Sequence, residues 1–144
     1  DRIIKLNMTG LWEHKTQGIN YDRYRPYYPS DLTSKVLPAC GSGSSYLDVA
    51  TGTGQLLFSL YNRFENSFGV DLSEQMVEVS SAKAKEINKR ENNDKKISVA
   101  RKDCLHIHEV VPEDQKFDLI TVGEALHWFN IDEFLKYVKV RLLH

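Results

Sequence analysis

"YLDVATGTGQLL", residues 46–57, is the stretch that decides the fold. Apolar residues run up to Asp48 and Val49, glycines follow at 52 and 54, and Leu56 and Leu57 resume the apolar pattern. "SYLDVA" fits a short buried strand, while Leu56, Leu57, Leu60, Tyr61 and Phe64 recur at the spacing of one helix face. The glycines therefore mark a strand-to-helix turn. Residues without a side chain permit backbone angles that others disfavour there, and they let a ligand approach main-chain N–H groups closely. Turn geometry alone explains such a pair equally well.

The alternation continues downstream. "NSFGVDL" reads as a second strand, and Ser73 caps a helix, "SEQMVEVSSAKAKEINKR", whose Met76, Ser80, Ala84 and Ile87 share a face. "ISVARKD" is a third strand, and a short helical piece over "CLHIHEV" stops before Pro112. "KFDLITVG" is a fourth strand. Asn130 with Glu133 predicts the start of a last helix striped by Ile131, Phe134, Leu135, Val138 and Leu142. Strands alternating with helices predict an α/β fold with a doubly wound, mostly parallel, Rossmann-like sheet, whose ligands lie across the carboxyl ends of its strands. Residues 39–144 form this core. Residues 1–38 form an aromatic arm, "YDRYRPYYPSDL", in which Pro26 and Pro29 oppose a continuous helix, followed by a helix from Ser30 to Pro38.

Composition narrows the function. Of the 144 residues 41% are hydrophobic and 27% charged, the balance of a globular domain able to bury a core, and the net charge of -1 gives no general pull toward nucleic acid or anionic membrane. No apolar run has the ~20 residues of a spanning helix, so a soluble, cytoplasmic protein is expected. Cys40 and Cys104 read as thiols rather than a disulfide. His106 and His108 alternate near Cys104, but no second cluster completes a ligand set, and no metal is expected.

Acids at the strand ends carry the ligand reading. Asp71 lies 17 residues beyond Gly54, close to the ~20 at which an acid in such folds meets ribose hydroxyls. A dinucleotide fingerprint would have a third glycine where Leu57 stands, and Asp48, inside the strand end, suits an ammonium group better than a pyrophosphate. Both departures favour a nucleoside with an amino-acid tail. Main-chain amides at 52–54 are expected to grasp that tail together with the carboxylate of Asp71 on the sugar.

"YLDVATGTGQ" followed by "GVDLSEQM" resembles the first two motifs of the class I methyltransferases that use S-adenosylmethionine, although that family usually has glycine where Ala50 stands. The resemblance covers roughly residues 20–144. It implies a Rossmann-like methyltransferase sheet, Asp48 facing the methionine ammonium, Leu72 as an apolar wall of the adenine pocket, and Asp103 on the adenine amino group with Cys104 beside the ring. "YDRYRPYYP" and "GEALHWFN" are similar to the trans-aconitate methyltransferase-like branch, which acts on small molecules.

Methyl transfer from a sulfonium needs orientation, enclosure and desolvation more than a protein nucleophile. Tyr21, Tyr24 and Arg25 are expected to form a lid, with Tyr24 and Arg25 on the cofactor and Tyr21 on the acceptor. Glu124, His127 and Trp128 should border the acceptor side, where His127 or Glu124 could take a proton, and a histidine held behind the pocket is an equal reading of His127. The expected function is methyl transfer to a small molecule, an organic-acid carboxylate being one candidate. Two alternatives are a non-catalytic or incomplete cofactor-binding fragment and a nicotinamide-dependent oxidoreductase. The chain starts at Asp1 and ends at His144 inside a helical pattern, and the resembling enzymes continue with further strands, so the sheet is read as truncated. The fourth strand is then expected to be an exposed edge prone to self-association.

Overall fold

The computed structural model describes residues 5–6, 43–92, 94–123 and 125–142. Among these residues five parallel strands make one sheet: β1 (Lys5–Leu6), β2 (Gly43–Val49), β3 (Phe64–Asp71), β4 (Lys96–Arg101) and β5 (Leu119–Gly123), in the order β1-β5-β2-β3-β4. Strand β2 is central and is buried from Ser45 to Val49. This explains its unbroken apolar character, since a parallel strand covered on both faces has no solvent side.

Alternate residues of β2 feed two cores. Tyr46 joins Leu56, Leu57, Leu60, Phe64, Ala84 and Ile87 on one face. Leu47 and Val49 join Val70, Ile107, Phe117, Ile120, Phe134 and Val138 on the other. Helices α1 (Gln55–Leu60) and α2 (Glu74–Glu91) cover the first face and α3 (Ile131–Arg141) the second, giving three layers. Ser73 caps α2 by accepting from Met76 N at 3.4 Å, and Asn130 caps α3 by accepting from Glu133 N at 3.5 Å. Asn88, near the end of α2, bonds β4 twice: its Nδ2 donates to the Ile97 carbonyl at 2.9 Å and its Oδ1 accepts from Ile97 N at 3.1 Å.

Several sequence expectations are corrected. The first helix is only six residues long, because a 3-10 turn over Tyr61–Arg63 follows it and Phe64 opens β3. Phe64 still packs beside Leu60, which is why its spacing looked helical. The short helical piece expected over "CLHIHEV" is present as a 3-10 turn, Ile107–Glu109, whereas Ile131 is 43% exposed rather than part of the α3 stripe, whose buried members are Phe134, Val138 and Arg141. Nor is the fourth predicted strand, β5, an open edge along its length. Lys5 and Leu6 pair with Val122 and Gly123, and Phe117 bridges to Leu142 in parallel. Such pairings join residues distant in the chain and leave no local pattern. The arm's Tyr21, Tyr24 and Arg25 and the helix from Ser30 lie outside the described residues.

Candidate active site

Strand order reverses between β2 and β5: the chain steps outward from β2 through β3 to β4, then returns to the far side of β2. In doubly wound sheets the crevice at this reversal, above the carboxyl ends, is where ligands bind. A cleft of ≈ 230 Å³ lies there. Val49 and Ala50 line it from β2, Asp71 and Leu72 from β3, and Asp103 and Cys104 from β4. Ala125, Trp128 and Phe129 close it from the segment after β5. Six residues expected in the site from sequence, Ala50, Asp71, Leu72, Asp103, Cys104 and Trp128, thus share one cleft.

The glycine turn above β2 is shaped by three left-handed residues, Ala50 (φ 56), Gly52 (φ 59) and Gly54 (φ 89). A side chain at Gly54 would meet the Phe58 ring at 2.2 Å, whereas one at Gly52 would meet nothing within 4 Å. Gly54 is therefore required by packing, and Gly52 leaves open space beside the turn. Two of the three expected amide donors are engaged within the chain: Gly52 N donates to Asp71 Oδ2 at 2.8 Å and Gly54 N to the Thr51 carbonyl at 2.9 Å. The turn thus offers shape and room beside amides that already have partners within the chain at Gly52 and Gly54.

Asp71 also accepts from Ser73 N, at 2.8 Å on Oδ1. Each carboxylate oxygen carries a second lone pair, so both can still accept from a ligand's hydroxyls in the cleft. Asp103 Oδ1 accepts from Leu105 N at 2.8 Å, which fixes its orientation at the far end. Burial, then the Asp103 carboxylate, pushes the Cys104 thiol up to about 11, so it presents a protonated, weakly polar wall. Leu72 (63% exposed) and Trp128 (80% exposed) stand at the rim. Lys102 joins them and is ion-paired to Glu109 at 2.5 Å.

Asp48 departs from expectation. It is 1% exposed and absent from the cleft lining, and its two oxygens accept from Thr51 Oγ1 at 2.7 Å and Thr121 Oγ1 at 2.6 Å. Burial is the main cause that pushes its carboxyl up to about 6. Its strand position was correct, but period-2 alternation turns it beneath the turn, toward α1, rather than into the cleft. Glu124 lies outside the described residues, and for His127 only the backbone, in the 3-10 turn Leu126–Trp128, is described.

Sequence reasoning missed Thr51, Thr121, Lys102, Phe129 and Gly69. Gly69 is informative: a side chain there would come within 2.8 Å of Leu57 Cδ2 and 3.1 Å of Thr51 Cγ2. The close helix-on-strand packing that a third turn glycine provides in dinucleotide folds is here provided from the strand, which lets Leu57 occupy that place. The glycine inside "NSFGVDL" was the available signal.

This arrangement, a parallel sheet with a glycine turn at its reversal point and acids ending the next two strands, is that of a nucleoside-binding Rossmann-like domain. The chain belongs to the methyltransferase-domain family, whose model matches residues 47–142. It is 28% identical over 123 residues to the probable S-adenosylmethionine-dependent methyltransferase CRG1 of Saccharomyces cerevisiae, covering 85% of this chain and 40% of that one. Among solved structures it is similar to an S-adenosylmethionine-dependent methyltransferase from Clostridium acetobutylicum, with 26% identity, a TM-score of 0.59, and coverage of 80% of this chain and 45% of that one. It also shares the fold of a methyltransferase from Thiobacillus denitrificans in complex with S-adenosyl-L-homocysteine, at TM-score 0.56 and 18% identity, covering 83% and 46% of the two chains. The chain spans about half the length, or less, of the curated relatives it matches. The family match replaces the nicotinamide alternative. No helix among the described residues is long and apolar enough to cross a membrane.

Proposed function

We propose that the protein to which this chain belongs transfers a methyl group from S-adenosylmethionine to a small molecule, an organic-acid carboxylate being the first candidate. The observation that carries this reading is the shared cleft of Asp71, Leu72, Asp103 and Cys104 beside a turn with open space at Gly52. A carboxylate with spare lone pairs beside that space suits ribose hydroxyls, and an acid flanked by apolar walls suits the edge and faces of adenine. When bound, the cofactor supplies an electrophilic methyl already activated by its sulfonium charge.

The chain's own residues orient and enclose. Asp71 would hold the sugar, Asp103 the base edge, and Leu72 and Cys104 the base faces. Trp128 at the rim shields the acceptor side from water, and His127 and Glu124 follow β5 where an acceptor's proton would be released. A carboxylate acceptor requires no base. Tyr21, Tyr24 and Arg25 are the proposed lid, with Arg25 suited to grip a carboxylate.

The test is a labelled-methyl transfer assay with the full-length protein against a panel of carboxylic acids, phenols and amines. Label on an organic acid supports the reading; label confined to amines or protein overturns the acceptor class. No transfer, combined with tight S-adenosylhomocysteine binding, favours a non-catalytic cofactor-binding role.

A further inference from the structure

Beneath the cleft, polar groups from three segments form one buried line. Tyr46 OH lies 2.8 Å from Thr121 Oγ1, Thr121 Oγ1 donates to Asp48 Oδ1 at 2.6 Å, and Thr51 Oγ1 donates to Asp48 Oδ2 at 2.7 Å. All four side chains are at most 5% exposed. Asp48 and Thr121 are direct partners in the β2–β5 ladder, so the backbone register itself sets this contact.

The direction of the hydrogens follows from their number. A threonine hydroxyl has one hydrogen, and Thr121 gives it to Asp48; its contact with Tyr46 must therefore be one it accepts. Every hydrogen in the line points toward the carboxylate, an order that strengthens each bond in a medium of low dielectric. Asp48 in turn holds Thr51 at the start of the glycine turn, stapling it to β2.

We propose that Thr121 is a positioning residue for cofactor binding: its hydroxyl fixes the Asp48 carboxylate, which fastens through Thr51 the start of the turn that borders the cleft. This rests on the reading that the cleft takes S-adenosylmethionine. An ionised Asp48 accepts from all its donors at once, whereas a protonated one must donate from one oxygen and releases part of the staple.

Burial raises the Asp48 carboxyl, the hydrogen bonds from Thr121 and then Thr51 oppose that rise, and the negative charge of Asp71 on β3 adds to it. From α1 the facing group is the Leu57 amide, and from β5 the Thr121 hydroxyl; Asp71 is the charged group acting on Asp48. Removing the Thr121 donor therefore moves the titration upward, toward neutral pH.

The experiment measures S-adenosylhomocysteine binding to the full-length protein by calorimetry from pH 5 to 8, for wild type, Thr121→Val, Thr121→Ser and Asp71→Ala. Thr121→Val preserves shape and should move the pH midpoint of binding up by about one unit, with a loss approaching about tenfold below both midpoints and recovery at pH 8. Thr121→Ser should restore the wild-type midpoint. A midpoint unmoved in Thr121→Val, or a loss equal at every pH, overturns the proposal. Should Thr121→Val fail to fold, Tyr46→Phe removes the far hydroxyl and should move the midpoint in the same direction by less; an unmoved midpoint there overturns it equally. Binding indifferent to Asp71→Ala overturns the cleft reading and the positioning role of Thr121 together, whereas Asp71-dependent binding with an unmoved midpoint overturns the positioning role alone.

Discussion

The amide of Gly52 donates to Oδ2 of Asp71 across 19 residues of sequence, at 2.8 Å, so the turn after β2 and the acid ending β3 form one unit. Asp71 acts from below as a fastening for the backbone, and from above it is the proposed acceptor for the ligand. Its two oxygens serve both roles because each has two lone pairs.

Asp71→Ala in the full-length protein should weaken S-adenosylhomocysteine binding by ~1–3 kcal/mol, through the lost ribose acceptor and the two backbone donors left without it. Asp71→Asn, which keeps one acceptor oxygen, should lose less. Titration calorimetry checks the order wild type, Asn, Ala; equal affinities would remove Asp71 from the site.

Ala50 sits at φ 56, where a side chain costs ~1–2 kcal/mol that glycine avoids. Glycine gives back ~0.5–1 kcal/mol through the greater freedom of its unfolded chain. Ala50→Gly should therefore stabilise the protein by up to about 1 kcal/mol, read as a higher urea midpoint at unchanged slope. A lower midpoint would show that the alanine methyl makes contacts in the cleft that outweigh its backbone cost.

Leu57 and Gly69 meet so closely that their effects should be coupled. Gly69→Ala should cost ~1–3 kcal/mol by overpacking and Leu57→Ala ~2–5 kcal/mol by leaving a cavity. The new methyl fills part of that cavity in the double variant, which should lose at least ~0.5 kcal/mol less than the sum of the single losses. Denaturant unfolding of the four proteins measures the coupling, and strict additivity would contradict the contact.

The raised carboxyl of Asp48 makes a prediction of sign. Its folded value, about 6, lies above its ordinary 3.8, so between those values the folded state holds more proton than the unfolded one. By linkage this contribution lowers stability as pH rises through that window, by up to ~3 kcal/mol in total, and levels off above pH 6. Asp48→Asn should remove this fall, so the stability difference between wild type and variant should change by that order between pH 4 and pH 7. A difference constant over this range would mean that Asp48 titrates normally.

The strands, the turn and both helix caps at Ser73 and Asn130 were legible because each has a local chemical cause: apolar runs, glycine, and a side-chain oxygen three residues before an amide. Asp71 and Asp103 were legible because position at a strand end fixes position at the cleft. The direction of Asp48 was not, since one residue of alternation separates facing the cleft from lying under it. Phe64 was misread because a strand residue beside a helix can share its spacing. Gly69 and Thr121 were missed because their meaning lies in a partner, Leu57 or Asp48, supplied by the packing of another element.

Asn88 has a bearing on assembly. Where it engages Ile97, a side-chain amide imitates the next rung of the ladder, so the outer border of β4 meets solvent already answered at its centre. A strand arriving from a second molecule would have to evict that imitation before it could zip on, and the sheet is thereby given a natural hem on this side.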